Sequence, residues 1–193
     1  MGKIQLNAAS GGGSVSLQAP SSMGSDRVYN LPDSDSISTL AGILEFDQFY
    51  LTSDLSSNGD ITTNITRNDF TASAAPLGSG MSLSGGIFTF PSTGKYLVIC
   101  TGQFSTVGSD NIVINTKVTT NNSSYTTNTR CIDGNNGSGD RSGSATSFAF
   151  LNVTNTSQLK VKFNAESIGS GSRIRGDSTK ITTNFIFARL GDI

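Results

Sequence analysis

Gly85-Gly86-Ile87-Phe88-Thr89-Phe90-Pro91-Ser92-Thr93-Gly94-Lys95-Tyr96-Leu97-Val98-Ile99-Cys100 is the stretch whose reading decides the fold. Gly85-Gly86 permits a sharp turn, because glycine reaches positive φ without a steric penalty. Ile87 to Phe90 reads as a short apolar strand, broken at Pro91-Ser92-Thr93-Gly94, where proline fixes φ and donates no ladder hydrogen bond. Lys95 to Cys100 follows as a second strand, with Tyr96, Val98 and Cys100 on one face and Leu97 and Ile99 on the other. A strand with one wet face alternates apolar and polar residues. This one is apolar on both faces, so it is expected to be central and covered on both sides.

Composition narrows the function classes. The 193 residues suffice for one full domain plus an appendage. Thirteen Lys and Arg stand against 14 Asp and Glu, a net charge of -1, and the basic residues are scattered singly apart from Arg173-Ile174-Arg175. That balance argues against a nucleic-acid groove and against a basic membrane-binding face. Membrane insertion is not expected, because no apolar run approaches the roughly 20 residues that cross a bilayer. Met1-Gly2-Lys3-Ile4-Gln5 lacks the apolar core of a signal peptide, so the chain reads as soluble and not exported. Two cysteines, Cys100 and Cys131, are too few for a disulfide framework. Two buried free thiols are favoured over one bridge between strands.

Outward from the opening stretch, the chain is expected to divide at residue 42. Residues 1–42 hold short alternating runs around Ile4, Leu6, Val15 and Leu17, then Val28, Tyr29 and Leu31, interrupted by glycine and proline. These are too few to close a core, so the segment reads as an arm that lies against something else. Residues 43–193 read as all-β throughout. Strands are expected at 44–51, 61–67, 112–118, 125–132, 147–153, 159–163 and 181–190, besides those of the opening stretch. Strands at about 10–14-residue intervals with turns between them predict an antiparallel sandwich or jelly roll. In the last strand Phe185 and Phe187 project to one face, and Ile186, Ala188 and Leu190 to the other. A two-sheet sandwich covers only one face of each sheet, so two double-faced strands point to self-association.

The chain reads as a non-enzyme that uses no cofactor. It contains no histidine, which removes Ser-His-Asp and Cys-His catalysis and histidine metal sites. Its glycine clusters precede no helix and match no phosphate loop. The loop Asp133 to Asp140 lacks the ligand spacing and closing glutamate of a calcium loop. Glu45 and Asp47 share a strand face at a spacing a glycosidase could use, but no aromatic sugar cleft accompanies them. They are read as a solvated strand face.

The run from Gly86 to Val98, with Phe90, Pro91, Gly94 and Tyr96, resembles the signature of complement-type globular heads, whose fold is the tumour-necrosis-factor-like jelly roll. Asn184 to Leu190 is similar to that family's final strand. Asp47 to Asp54, Gly78 to Met81, Ser84 to Gly94 and the terminal Arg189 to Asp192 resemble domains of marine tailed-phage virion proteins, with Phe49 where those have tryptophan. Gly13 to Pro20 and Leu31-Pro32-Asp33 are similar to the leader that precedes such domains.

The resemblance implies a homotrimer, assembled in the bacterial host cytoplasm and located on the virion. In that reading the chain is a capsid-surface decoration, head fibre or short appendage. Phe46, Tyr50, Phe185 and Phe187 are the candidate trimer contacts. Ile4, Leu6, Val15, Leu17, Val28, Tyr29 and Leu31 would attach the arm to other capsid or tail proteins. The alternative is a tail-fibre or knob module that binds host surface glycans through polar loops, with Asn135, Asn136 and Arg141 as candidates.

Overall fold

A computed structural model describes residues 3–7, 14–18, 43–70 and 76–193. Its contacts divide the chain into Met1–Leu40 and Ala41–Ile193. In the first unit, β1 (Lys3–Asn7) and β2 (Ser14–Gln18) form an antiparallel pair with Ile4 opposite Leu17 and Leu6 opposite Val15. Val28, Tyr29 and Leu31 lie outside the described residues.

The second unit is a two-sheet antiparallel sandwich, and every regular element among the described residues is a strand. In chain order these are β3 (Glu45–Leu51), β4 (Gly59–Asp60), β5 (Ile65–Arg67), β6 (Ser82–Ser84), β7 (Ile87–Thr89), β8 (Gly94–Thr106) and β9 (Asn111–Thr119). There follow β10 (Thr126–Gly134), β11 (Arg141–Val153), β12 (Lys160–Glu166), β13 (Arg173–Ile174) and β14 (Asn184–Gly191). One sheet has the order β10-β9-β12-β7-β6, with β4 also on β12. The other has the order β11-β8-β14-β3-β5, with β13 also on β8.

The opening stretch folds as its residues dictate. Gly85 and Gly86 take φ of 55° and 80° and close the β6–β7 hairpin. A Cβ on Gly86 would overlap the Ile61 carbonyl, so this position needs glycine for space as well as for φ. Burial along β8 alternates strictly, with Tyr96, Val98, Cys100 and Phe104 inward and Leu97 and Ile99 half-buried outward. It is a central strand, between β11 and β14.

The core is aromatic. Phe88 is fully buried, with ring centroids 5.0 Å from Phe49, 5.6 Å from Phe163 and 4.8 Å from Phe187. Phe163 stacks on Phe185 at 3.9 Å. Such pairs add about 0.5–1.5 kcal/mol each beyond area burial.

Two expectations are corrected. Residues 61–67 are not one strand: Asn64 adopts φ of 59°, a conformation asparagine tolerates better than other side chains. The chain thereby leaves β4, on β12, and joins β5, on β3, so 61–64 crosses between the sheets. Nor are Glu45 and Asp47 a solvated face. Asp47 is 3% exposed and accepts from the Arg67 guanidinium (3.0 Å from Nε, 3.1 Å from Nη2) and from the Met81 amide at 2.7 Å. Glu45 accepts from the amides of Ser79 and Gly80. Both carboxylates therefore hold the 78–81 turn against β3.

Candidate interaction surfaces

The outward face of the β11-β8-β14-β3-β5 sheet is the least explained surface of the single chain. Pairing registers place its side chains in rows across the strands. One row runs Phe150, Leu97, Ala188, Phe46, and the next runs Phe148, Ile99, Ile186, Gln48. A third is polar, running Thr146, Thr101, Asn184, Tyr50, with the Thr101 and Thr146 hydroxyls 3.1 Å apart. Phe148 and Phe150 are 61% and 62% exposed. Two phenylalanines side by side in water, continuous with the half-buried Leu97, Ile99 and Ile186, form the kind of contiguous apolar patch that marks an interaction site.

The four candidate trimer residues divide between the two faces. Phe185 and Phe187 point inward at 0% and 1% exposure and are members of the aromatic core, so they are not presented to a second chain. Phe46 is 38% exposed on the outward face. Tyr50 also lies on that face but is covered by Phe70, with ring centroids 5.1 Å apart. Burial and the adjacent charge of Asp69 push the Tyr50 phenol above its ordinary pKa. Phe148 and Phe150 were not singled out from the sequence. Their signal is present in Phe148-Ala149-Phe150-Leu151-Asn152-Val153: Ala149, Leu151 and Val153 fill the core positions, leaving the phenylalanines outside.

The polar loop at the far end of the sandwich is bonded to itself. Asn135 donates through Nδ2 to the Gly139 carbonyl at 2.5 Å and accepts from the Gly137 amide at 3.0 Å. Arg141 donates to the Gly134 carbonyl and pairs with Asp133 at 3.3 Å. Of the three candidate receptor residues only Asn136 is exposed with no such commitment. Nearby, Arg173 and Arg175 both lean on Asp54, at 3.6 and 3.3 Å. Among the described residues, no group of three or more Cys, Asp or Glu side chains is gathered as a metal site.

No family model matches the chain, and no curated protein matches it. Solved structures do. Murine APRIL at pH 5.0 superposes with a TM-score of 0.57 at 14% identity, over 76% of this chain and 98% of that one. Eiger TNF from S. frugiperda gives 0.57 at 17% identity, over 79% and 96%. The fold is a TNF-like jelly roll. The likeness at these identities is one of architecture. Within this TNF-like jelly roll the double-faced sheet foreseen from β8 and β14 is the one that carries the apolar rows.

Proposed function

We propose that the chain is a structural component of a bacteriophage virion, a homotrimer anchored by residues 1–42 that displays residues 43–193 as a capsid-surface head or short appendage. The observation that carries the assembly is the outward face with Phe148 and Phe150 at its edge, apolar in two successive rows. Three copies closing on that face would remove it from water, at roughly 25 cal/mol per Å² of apolar area. The virion role is supported by the sequence resemblance at Asp47 to Asp54 and Ser84 to Gly94 and by the leader-like Gly13 to Pro20. The short paired strands β1 and β2 support an arm that docks by adding strands to a neighbouring sheet. Glycan binding by the 133–141 loop is the weaker reading, because Asn135 and Arg141 spend their polar groups inside the loop. No part of this reading requires a catalytic step.

Sedimentation of the purified chain tests the assembly: the expected species is a trimer at micromolar concentration. Phe150→Asp with Phe148→Asp should yield a folded monomer, since both rings are already exposed in the single chain. A wild-type monomer would overturn the proposal. A chain beginning at Ala41 should remain trimeric yet fail to join particles. Decoration of particles without the arm would refute the anchoring role.

A further inference from the structure

The strongest feature left without a role lies inside the sandwich. Cys100 on β8 and Cys131 on β10 come from opposing sheets, and their sulfurs are 3.6 Å apart. Both are buried, at 0% and 1% exposure. As small hydrophobes they would fill space equally well without facing each other. A disulfide needs about 2.05 Å between sulfurs, so the two sulfurs must approach by roughly 1.5 Å from their 3.6 Å separation, with the strands drawing together as far as the bond requires.

The two thiols are also unequal. Burial pushes Cys100 well above the ordinary thiol range, whereas the hydrogen bond to Cys100 leads the influences that pull Cys131 down, aided by the Gly102 and Ile114 backbone. Of the two, Cys131 is therefore the thiol that loses its proton more readily, and the thiolate is the reactive form.

We propose that Cys100 and Cys131 form an oxidisable pair that a small peroxide converts into a disulfide between the two sheets. Peroxide is the oxidant class the burial permits, because it is little larger than water and a bulky disulfide reagent reaches neither sulfur. The Cys131 thiolate attacks one peroxide oxygen and the O–O bond breaks. The departing hydroxide takes up a proton and leaves as water, and Cys131 is left as a sulfenic acid. The Cys100 sulfur then attacks the Cys131 sulfur, forming the S–S bond and releasing a second water. Two thiols and one hydrogen peroxide become one disulfide and two waters, so the electrons balance. The bond would span 31 residues and fix β8 to β10.

The test treats the full-length chain with hydrogen peroxide, quenches it, then denatures it and counts thiols alongside the intact mass and a non-reducing gel. Both thiols should disappear together and the mass should fall by two hydrogens. The chain should run without intermolecular cross-links, and dithiothreitol should restore both thiols. The thermal midpoint should rise by roughly 5–15 °C, from the loop-closure effect spread over a chain of this size. In Cys100→Ser, Cys131 should stop at a sulfenic acid that dimedone traps. Oxygen added to the mass while one thiol survives, cross-linked chains, or both thiols persisting at doses that oxidise the methionines would each overturn the pairing. An oxidised pair with an unchanged midpoint would overturn the locking of the sheets.

Discussion

Removing Arg67 should harm the protein more than neutralising its partner. Asp47 is 3% exposed, while the Arg67 side chain is 40% exposed and rests over the Phe49 ring at 5.0 Å. Arg67→Met leaves a buried carboxylate that still accepts from the Met81 and Gln48 amides but has lost the one cation paired with it among the described residues. Breaking a buried pair in this way costs about 3–5 kcal/mol, which the partial exposure of Arg67 reduces to about 2–4 kcal/mol. Asp47→Asn forfeits one charge-assisted interaction, about 1.5–3 kcal/mol before the same solvent discount, and leaves the half-exposed Arg67 its hydrogen bond to the Met81 carbonyl and its access to water. The expected order is therefore Arg67→Met below Asp47→Asn below wild type, with a gap near 1 kcal/mol between the variants. The double variant should be more stable than Arg67→Met alone, because its buried group is neutral. Urea midpoints read at one fixed protein concentration measure this, since assembly makes stability concentration-dependent. An Arg67→Met stability within about 0.5 kcal/mol of wild type, the range of an ordinary surface change, would refute the clamp.

Two further outcomes follow from the same sandwich. Gly86→Val should lower stability by more than about 2 kcal/mol, because it combines a strained φ with a clash against the Ile61 carbonyl. Gly85→Ala should cost less, since open space surrounds that position, and thermal melts of the two variants would separate the effects. Burial pushes Asp60 up, but hydrogen bonds from Lys162 and Asn164 and the charges of Lys162 and Lys117 outweigh it and hold the carboxyl below its ordinary value. Its contribution is present above the unfolded carboxylate pKa of about 3.9 and is lost as pH falls through the lower folded value. It is under about 1 kcal/mol because Asp60 is 38% exposed. Acid titration of Asp60→Asn should show a slightly flatter loss of stability than wild type, and identical acid curves would exclude the effect.

The jelly roll was legible because period-2 alternation is strict where it matters. Tyr96, Val98 and Cys100 against Leu97 and Ile99 announced a strand with two apolar faces, and Gly85-Gly86 announced the β6–β7 hairpin before it. Alternation separates two faces without saying which one is inward. That ambiguity put Phe185 and Phe187 among the interface candidates, whereas the larger rings complete the cluster around Phe88 and the smaller Ile186 and Ala188 face out. It also hid Phe148 and Phe150. Other misses are non-local. The burial of Asp47 depends on an amide 34 residues away, and no pattern within β3 reports it. The break at Asn64 rests on one positive φ in a sequence that otherwise reads as continuous strand.

The apolar rows on the outward sheet lie beside Glu45, where the chain enters β3, and the polar row of Thr146, Thr101 and Asn184 lies farther along. This gradient gives the face a direction. A neighbour packed upside down would set Phe148 and Phe150 against the threonine hydroxyls, whereas neighbours packed in the same sense match dry row to dry row. In the proposed trimer all three chains would therefore enter their heads at one end. If residues 1–42 are the anchors proposed above, three such tethers would bind by avidity: once the first is seated, the others would act at millimolar effective concentration. Each arm would then need only weak affinity for its target, which suits segments with as few large apolar residues as residues 1–42 provide.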